Sequence, residues 1–147
     1  MINALNQKFV AITPPGAIVD NAAFTTAALD TKGFRWITII VLLGALDIAV
    51  AAMKLQESDD SGMSGATDVP GADFSIAPAT VPAATDDNKA YAIQINTLGR
   101  KRYLDLSLTG GDGTAGTYAT VIALMSRAEQ TPRDAPARGF AQELFAG

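Results

Sequence analysis

One stretch, GFRWITIIVLLGALDIAVAAMKLQESDD from Gly33, constrains this chain more than any other, because Phe34 to Met53 gives twenty residues with only Arg35 and Asp47 charged. That is the length of a membrane-crossing helix. Asp47 argues against such a helix, since a carboxylate near its centre costs about 2.5–3.5 kcal/mol on insertion scales. The longest uncharged piece, Trp36 to Leu46, is only eleven residues, and no basic cluster flanks the run to set a topology. Residue type points the same way: Ile37, Thr38, Ile39, Ile40 and Val41 form a β-branched block suited to a strand buried on both faces. Gly44 to Asp47 then brings turn chemistry. Ile48, Val50 and Ala52 next alternate with Ala49, Ala51 and Met53 before the polar KLQESDD. The segment predicts a hairpin whose second strand emerges toward solvent and ends at the acidic loop Asp59 to Gly65. A membrane span at 34–53 remains the alternative.

The flanking sequence reads as further strands. NQKFVAIT (Asn6 to Thr13) predicts a strand stopped by Pro14-Pro15-Gly16. AIVDNAAFTTAALD suits either a helix or a strand; Thr25-Thr26 and the closing turn Asp30 to Gly33 favour strand. The proline- and glycine-containing stretch from Ser58 to Asp87 leaves room for a short strand around Phe74 and Ile76. AYAIQINT turns Tyr91, Ile93 and Ile95 one way and Ala92, Gln94 and Asn96 the other. RYLDLSLTG sends Leu104, Leu106 and Leu108 inward and Tyr103, Asp105 and Ser107 outward, so with LGRK as the turn these two predict a second hairpin. TYATVIALMSRAE is apolar on both faces, the pattern of a central or covered strand. Trp36 and Phe34, straddling Arg35, start a core strand in this reading. The expected fold is all-β, a small β-sandwich or β-barrel with extended N- and C-terminal arms: arm and strands at 1–32, a β domain at 33–126, and a C-terminal arm at 127–147.

Composition narrows the chemistry. The chain has no histidine and no cysteine, which removes the commonest general base, the usual zinc, copper or iron ligands, and disulfide staples. No enzymatic activity, cofactor or metal is expected. The Gly-rich TGGDGTAGT (Thr109 to Thr117) precedes a strand and lacks the lysine of a phosphate loop, so it reads as a strand connection. Acidic groups at Asp59-Asp60, Asp68, Asp73 and Asp86-Asp87 lack the regular spacing of a calcium loop. The three glutamates, Glu57, Glu129 and Glu143, do not suggest a carboxylate pair for glycoside chemistry. A net charge of −4 gives nucleic acid little to hold beyond Arg100, Lys101 and Arg102. That cluster reads either as a hairpin end in water or as a contact for an acidic neighbour. In the tail, Phe140 and Phe145 stand out in small and polar sequence and favour docking on a neighbour. These five residues are the candidate partner contacts. MINALNQKFVAITPPG has none of the marks of a secretory leader.

KLQESDD (Lys54 to Asp60), DVPGA (Asp68 to Ala72) and RKRYLDLSL (Arg100 to Leu108) carry a resemblance that runs from Gly33 to Pro132. In these the chain resembles the capsid decoration, or cement, proteins of tailed bacteriophages and prophage elements. The resemblance implies a non-enzymatic virion structural protein, assembled in the host cytoplasm, that binds the outer capsid surface and bridges adjacent major capsid subunits. It implies the major capsid protein and further copies of the chain, a trimer being favoured, as partners, with neither nucleic acid nor membrane among them. A virion-surface carbohydrate-binding module, using Trp36 and the three tyrosines, is the other alternative to the membrane span.

Overall fold

A computed structural model describes residues 7–19, 23–111, 113–114, 117–130, 132 and 134–144, with backbone alone from 13 to 19. The described residues form nine strands and no helix: β1 (Lys8–Val19), β2 (Ala23–Thr25), β3 (Leu29–Asp30), β4 (Phe34–Leu43), β5 (Ala52–Ser58), β6 (Thr67–Asp73), β7 (Ala90–Asn96), β8 (Tyr103–Thr109) and β9 (Thr117–Ala128). They pair antiparallel into two sheets that make a sandwich. One has the order β1-β9-β4-β7; in the other, β2-β8-β5-β6, β3 also pairs with β8.

Period-two patterning decides which side chains meet between the layers. From the first sheet come Ile37, Ile39, Val41 and Leu43 of β4, Ile93 and Ile95 of β7, and Ala119, Val121, Ala123 and Met125 of β9. From the second come Met53 and Leu55 of β5 and Leu104, Leu106 and Leu108 of β8, all wholly buried. The division expected for β7 is present, with Ile93 and Ile95 on the buried side, and of β9's two apolar faces the one with Ala119, Val121, Ala123 and Met125 turns inward. β9 is a central strand, paired with β1 on one side and β4 on the other.

Neither predicted hairpin forms. β4 and β5 lie in different sheets, as do β7 and β8. The link 44–51 crosses one end of the sandwich, and its donors go to separate elements: Gly44 N–H to Tyr118 O (2.9 Å), Val50 N–H to Pro82 O (3.0 Å) and Ala51 N–H to Thr109 O (2.9 Å). Leu46 N–H goes to the Asp87 carboxylate (2.7 Å). Leu46 and Val50 are buried and close that end of the core. Alternation specifies an inward face but not which of two layers the strand joins, and a link this long can cross where a tight turn cannot. The stretch 34–53 is accordingly no helix, and no helix among the described residues is long and apolar enough to cross a membrane.

Other boundaries differ for physical reasons. β1 runs through Pro14-Pro15-Gly16 with register shifts at Ala11/Thr13 and Thr13/Ala17. It is an edge strand, where a proline can face away from the ladder. β6, the opposite sheet's edge, likewise tolerates Pro70 and takes the place of the strand expected at Phe74 and Ile76. KLQES is itself β5 and does not emerge into solvent: Leu55, Glu57 and Ser58 are buried. Trp36 lies half-buried on the outer side of β4, and Ile37 is the first wholly buried residue of that strand.

Asp105 points outward from β8, as expected, yet is only 4% exposed. Its strand is central, with Gln56 of β5 opposite on one side. On the other side lies the β2–β3 link, whose Thr26 exchanges bonds with Leu106: Thr26 N–H to Leu106 O and Leu106 N–H to Thr26 Oγ1, both 3.0 Å. Asp105 Oδ1 meets no donor. Burial pushes this carboxyl above the usual aspartate range. The folded protein then binds a proton more tightly than the unfolded chain, so Asp105 makes folding less favourable as pH rises from about 4 toward neutrality. Asp105→Asn is expected to stabilise the protein at neutral pH by about 1–3 kcal/mol, with a gain that shrinks toward pH of about 4. Urea titrations at the two pH values check this; a variant less stable at both would mean that the carboxylate has a favourable role.

Candidate functional site

Three surfaces could meet a partner, and the strand register defines the first. On the outer side of the β1-β9-β4-β7 sheet, ranks of side chains line up across β9, β4 and β7: Ser126–Trp36–Asn96, Leu124–Thr38–Gln94, Ile122–Ile40–Ala92 and Thr120–Leu42–Ala90. None of these twelve positions is charged. Leu42 is 43% and Tyr118 40% exposed. The outer side of the other sheet differs in kind: Lys54 Nζ bonds Asp68 at 2.8 Å, Gln56 bonds the same carboxylate at 2.7 Å, and the pairing holds the Asp68 carboxyl below its ordinary value. Trp36 is held under the Arg127 guanidinium, 5.8 Å from the ring centroid.

The second surface is the C-terminal tail. Its turn starts at Asp134, whose carboxylate accepts the Ala137 N–H (2.9 Å), and closes at Gly139 with φ of +88°. Phe9 N–H donates to Arg138 O at 2.8 Å, and Phe140 packs on Phe9 with ring centroids 4.7 Å apart. The buried Arg138 side chain places Nε 2.9 and 2.8 Å from the two Glu143 oxygens and also reaches Pro132 O (3.1 Å), so the arginine keeps the Glu143 carboxyl below its usual value. Phe140, a candidate contact for a neighbour, is thus engaged by its own chain. Phe145 lies outside the described residues. An aspartate, then Pro136 and a closing glycine, is the order of a capped turn and was the available sequence signal. A Cβ at Gly139 would stand 1.8 Å from Phe9 O. Gly139→Ala is therefore expected to release the tail from β1 and make the bond after Arg138 markedly more sensitive to trypsin, with the sandwich intact by circular dichroism; unchanged cleavage would show that the tail's hold does not depend on this close approach.

The third surface contains the basic cluster, which the fold places at the end where β7 leaves one sheet and β8 enters the other. It is not a row of free cations. Arg102 forms a two-pronged bond with Asp30, Nε to Oδ1 at 2.9 Å and Nη2 to Oδ2 at 2.7 Å, and its guanidinium lies 5.0 Å from the Tyr103 ring centroid. Arg100 pairs with Glu57 at 3.5 Å, the Lys101 N–H donates to the same carboxylate at 3.2 Å, and Lys101 Nζ reaches Thr67 Oγ1 at 3.2 Å. These bonds join the links of the two sheets. Sequence order could not show this, because Asp30 and Glu57 come from β3 and β5.

Arg102 lowers the Asp30 carboxyl to about 2, chiefly through its hydrogen bond, with the Lys32 N–H and the positive charges of Arg102 and Lys32 adding to the effect against desolvation. A depressed folded-state value stabilises the fold above the unfolded aspartate's pKa of about 4. That contribution is lost as pH falls through about 2. Arg102→Gln should lower the melting temperature slightly at neutral pH, and the difference from the parent should vanish across this acid window. A difference independent of pH would assign the effect to packing on Tyr103.

At the opposite end, Asp47 accepts the Thr114 N–H, tying the glycine-rich β8–β9 link over the β4–β5 crossing. A Cβ at Gly113 would collide with the same carboxylate. The Gly-rich segment is a strand connection, as expected. The other acidic loop groups are used locally: Asp60 Oδ1 accepts the Gly62 N–H (2.7 Å), Asp73 the Ser75 N–H (2.7 Å), and Asp86 the Ala83 N–H (2.9 Å). No protein-family model matches the chain, and no curated protein is significantly similar to it.

Proposed function

We propose that this chain is a non-enzymatic binding protein that attaches to a protein shell through the uncharged outer side of the β1-β9-β4-β7 sheet. One observation carries the reading: three adjacent strands present four aligned ranks of side chains without a charge, while the other outer side bears ion-paired Lys54 and Asp68. Interface centres are depleted of charge and enriched in aromatic and aliphatic groups, as this face is. A solvent face on an acidic protein has no reason to lack charge across β4, β7 and β9.

The sequence resemblance supplies the identity of the shell, the outer surface of a tailed-bacteriophage capsid, with the major capsid protein as the partner and further copies of the chain, as a trimer, beside it. Attachment there needs no catalytic group. An interface of about 1,600 Å² is enough for stable attachment, and repetition over a lattice multiplies a modest affinity.

Leu42→Glu and Tyr118→Glu test the reading, because both side chains are exposed enough to change without disturbing the core. Together they are expected to abolish co-sedimentation with expanded tailed-bacteriophage heads that the parent protein decorates, with an unchanged circular dichroism spectrum. Parent-level occupancy by the double variant would overturn the assignment of this face.

A further inference from the structure

We infer that the cleft at the β3–β4, β7–β8 and β9 end of the sandwich is a second binding site, built for a short acidic peptide segment carrying an apolar residue. The cleft, about 670 Å³, is lined by five cations, Lys32, Arg35, Arg100, Arg102 and Arg127, against two carboxylates, Asp59 and Glu129. With Glu57 and Asp30, which hold Arg100 and Arg102, counted in, five cations still stand against four carboxylates, in a protein that is −4 overall. Such a local excess of positive charge concentrates acidic partners in the cleft.

The five cations divide into two groups. Arg100 and Arg102 are held by Glu57 and Asp30. Lys32, Arg35 and Arg127 form no ion pair among the described residues, whereas five of the remaining described lysines and arginines do. The nearby carboxylates are committed elsewhere or left aside: Asp59 Oδ1 accepts the Arg102 N–H (3.3 Å), and Glu129, tied through its N–H to Gly33 O (2.8 Å), makes no ion pair.

The fold brings Arg35 of β4 close to Arg127 of β9, whose guanidinium lies over the Trp36 ring. Phe34 pairs with Ala128 and Trp36 with Ser126, so Arg35 and Arg127 occupy the intervening positions on neighbouring strands. Arg127 also has φ of +53°, a conformation uncommon outside glycine, asparagine and aspartate. Arg35 and Arg127 are both exposed and, with Lys32, line the cleft without an ion pair, which leaves positive charge there for an anion.

The occupant is a peptide rather than a nucleic acid. The three cations without an ion pair outnumber the cleft's own carboxylates, Asp59 and Glu129, which suits a carboxylate-bearing segment, and Leu98, 67% exposed, with half-buried Phe34 gives the same cleft an apolar contact. A phosphate chain would need a longer basic track, and Asp60, exposed in the loop next to Asp59, interrupts one here. The cleft adjoins the sheet face at Trp36, over which Arg127 lies, and differs from it in charge.

The test is fluorescence anisotropy at low and at physiological salt with a dye-labelled Glu-Glu-Leu-Glu-Glu peptide, its glycine-centred counterpart, and labelled hexathymidylate, with inorganic phosphate as a competitor. The leucine peptide is expected to bind saturably and most tightly, and to weaken about tenfold when Arg35→Gln is combined with Arg127→Asn. Circular dichroism should show that double variant folded like the parent, and Leu98→Ser should bring the two peptides to equal affinity. Parent-like peptide binding by the double variant, tighter binding of hexathymidylate, displacement by inorganic phosphate at equal charge, or no saturable peptide binding at low salt would each overturn the inference.

Discussion

The structure rests on the contact between two inward faces, Leu104, Leu106 and Leu108 of β8 with Met53 and Leu55 of β5 on one side, and Ile37, Ile39 and Val41 of β4 with Val121 and Met125 of β9 on the other. All of these side chains are at most 1% exposed. Because successive residues of a strand face opposite ways, committing these to the core fixes what every neighbour must present outside. The uncharged ranks around Ile40 and Ile122 are thus the reverse side of the strands that hold the molecule together. A slip of one residue in β4 would bury Trp36, Thr38 and Ile40 and expose its core set, so the outer face is registered as firmly as the core.

Much of this was legible in the residues. Alternation in β7 and β8 separated the buried set from the rest, β9 was recognisable as a central strand without its inward face, and the turn chemistry at Gly44–Asp47 ended β4 near its observed limit. What alternation could not supply was layer membership. A hairpin and a crossing between sheets both place one apolar face inward; they differ in where the link's donors go, and Tyr118, Pro82, Asp87 and Thr109 are all remote in sequence from the 44–51 segment they receive. Proline was misleading for a related reason: Pro14, Pro15 and Pro70 argue against a strand only if that strand has neighbours on both sides, and β1 and β6 are edges. Asp105 was read as solvent-facing because its side points outward, but on a central strand outward is not the same as exposed.

The charged residues show the same limit. Arg100, Lys101 and Arg102 stand together in the sequence and look like a site, yet the fold gives each an internal partner from a different strand or loop. Lys32, Arg35 and Arg127 are separated by up to ninety-five positions, and only the pairing of β4 with β9 brings the two arginines together. Exposed ion pairs contribute little to stability, so the bonds of Arg102 to Asp30 and Arg100 to Glu57 are better understood as fixing the geometry of the links than as strengthening the fold. In fixing the links they also form part of the wall around the unpaired cations.

The two surfaces differ in the physics by which they would recognise a partner. The sheet face is broad and without charge; its contribution comes from apolar area removed from water, changes little with salt, and tolerates partners of similar shape. The cleft is narrow and charged; it affects the rate and selectivity of encounter more than the final affinity and weakens as salt rises. Strand direction places the cleft at an end of the sandwich and the uncharged ranks along its side, so one partner segment can enter the cleft while the sheet lies against a larger body. Two weak contacts of unlike kind, held in fixed relation by one core, then act at a high effective concentration of the second once the first has formed. Such an arrangement would be a sufficient basis for firm attachment.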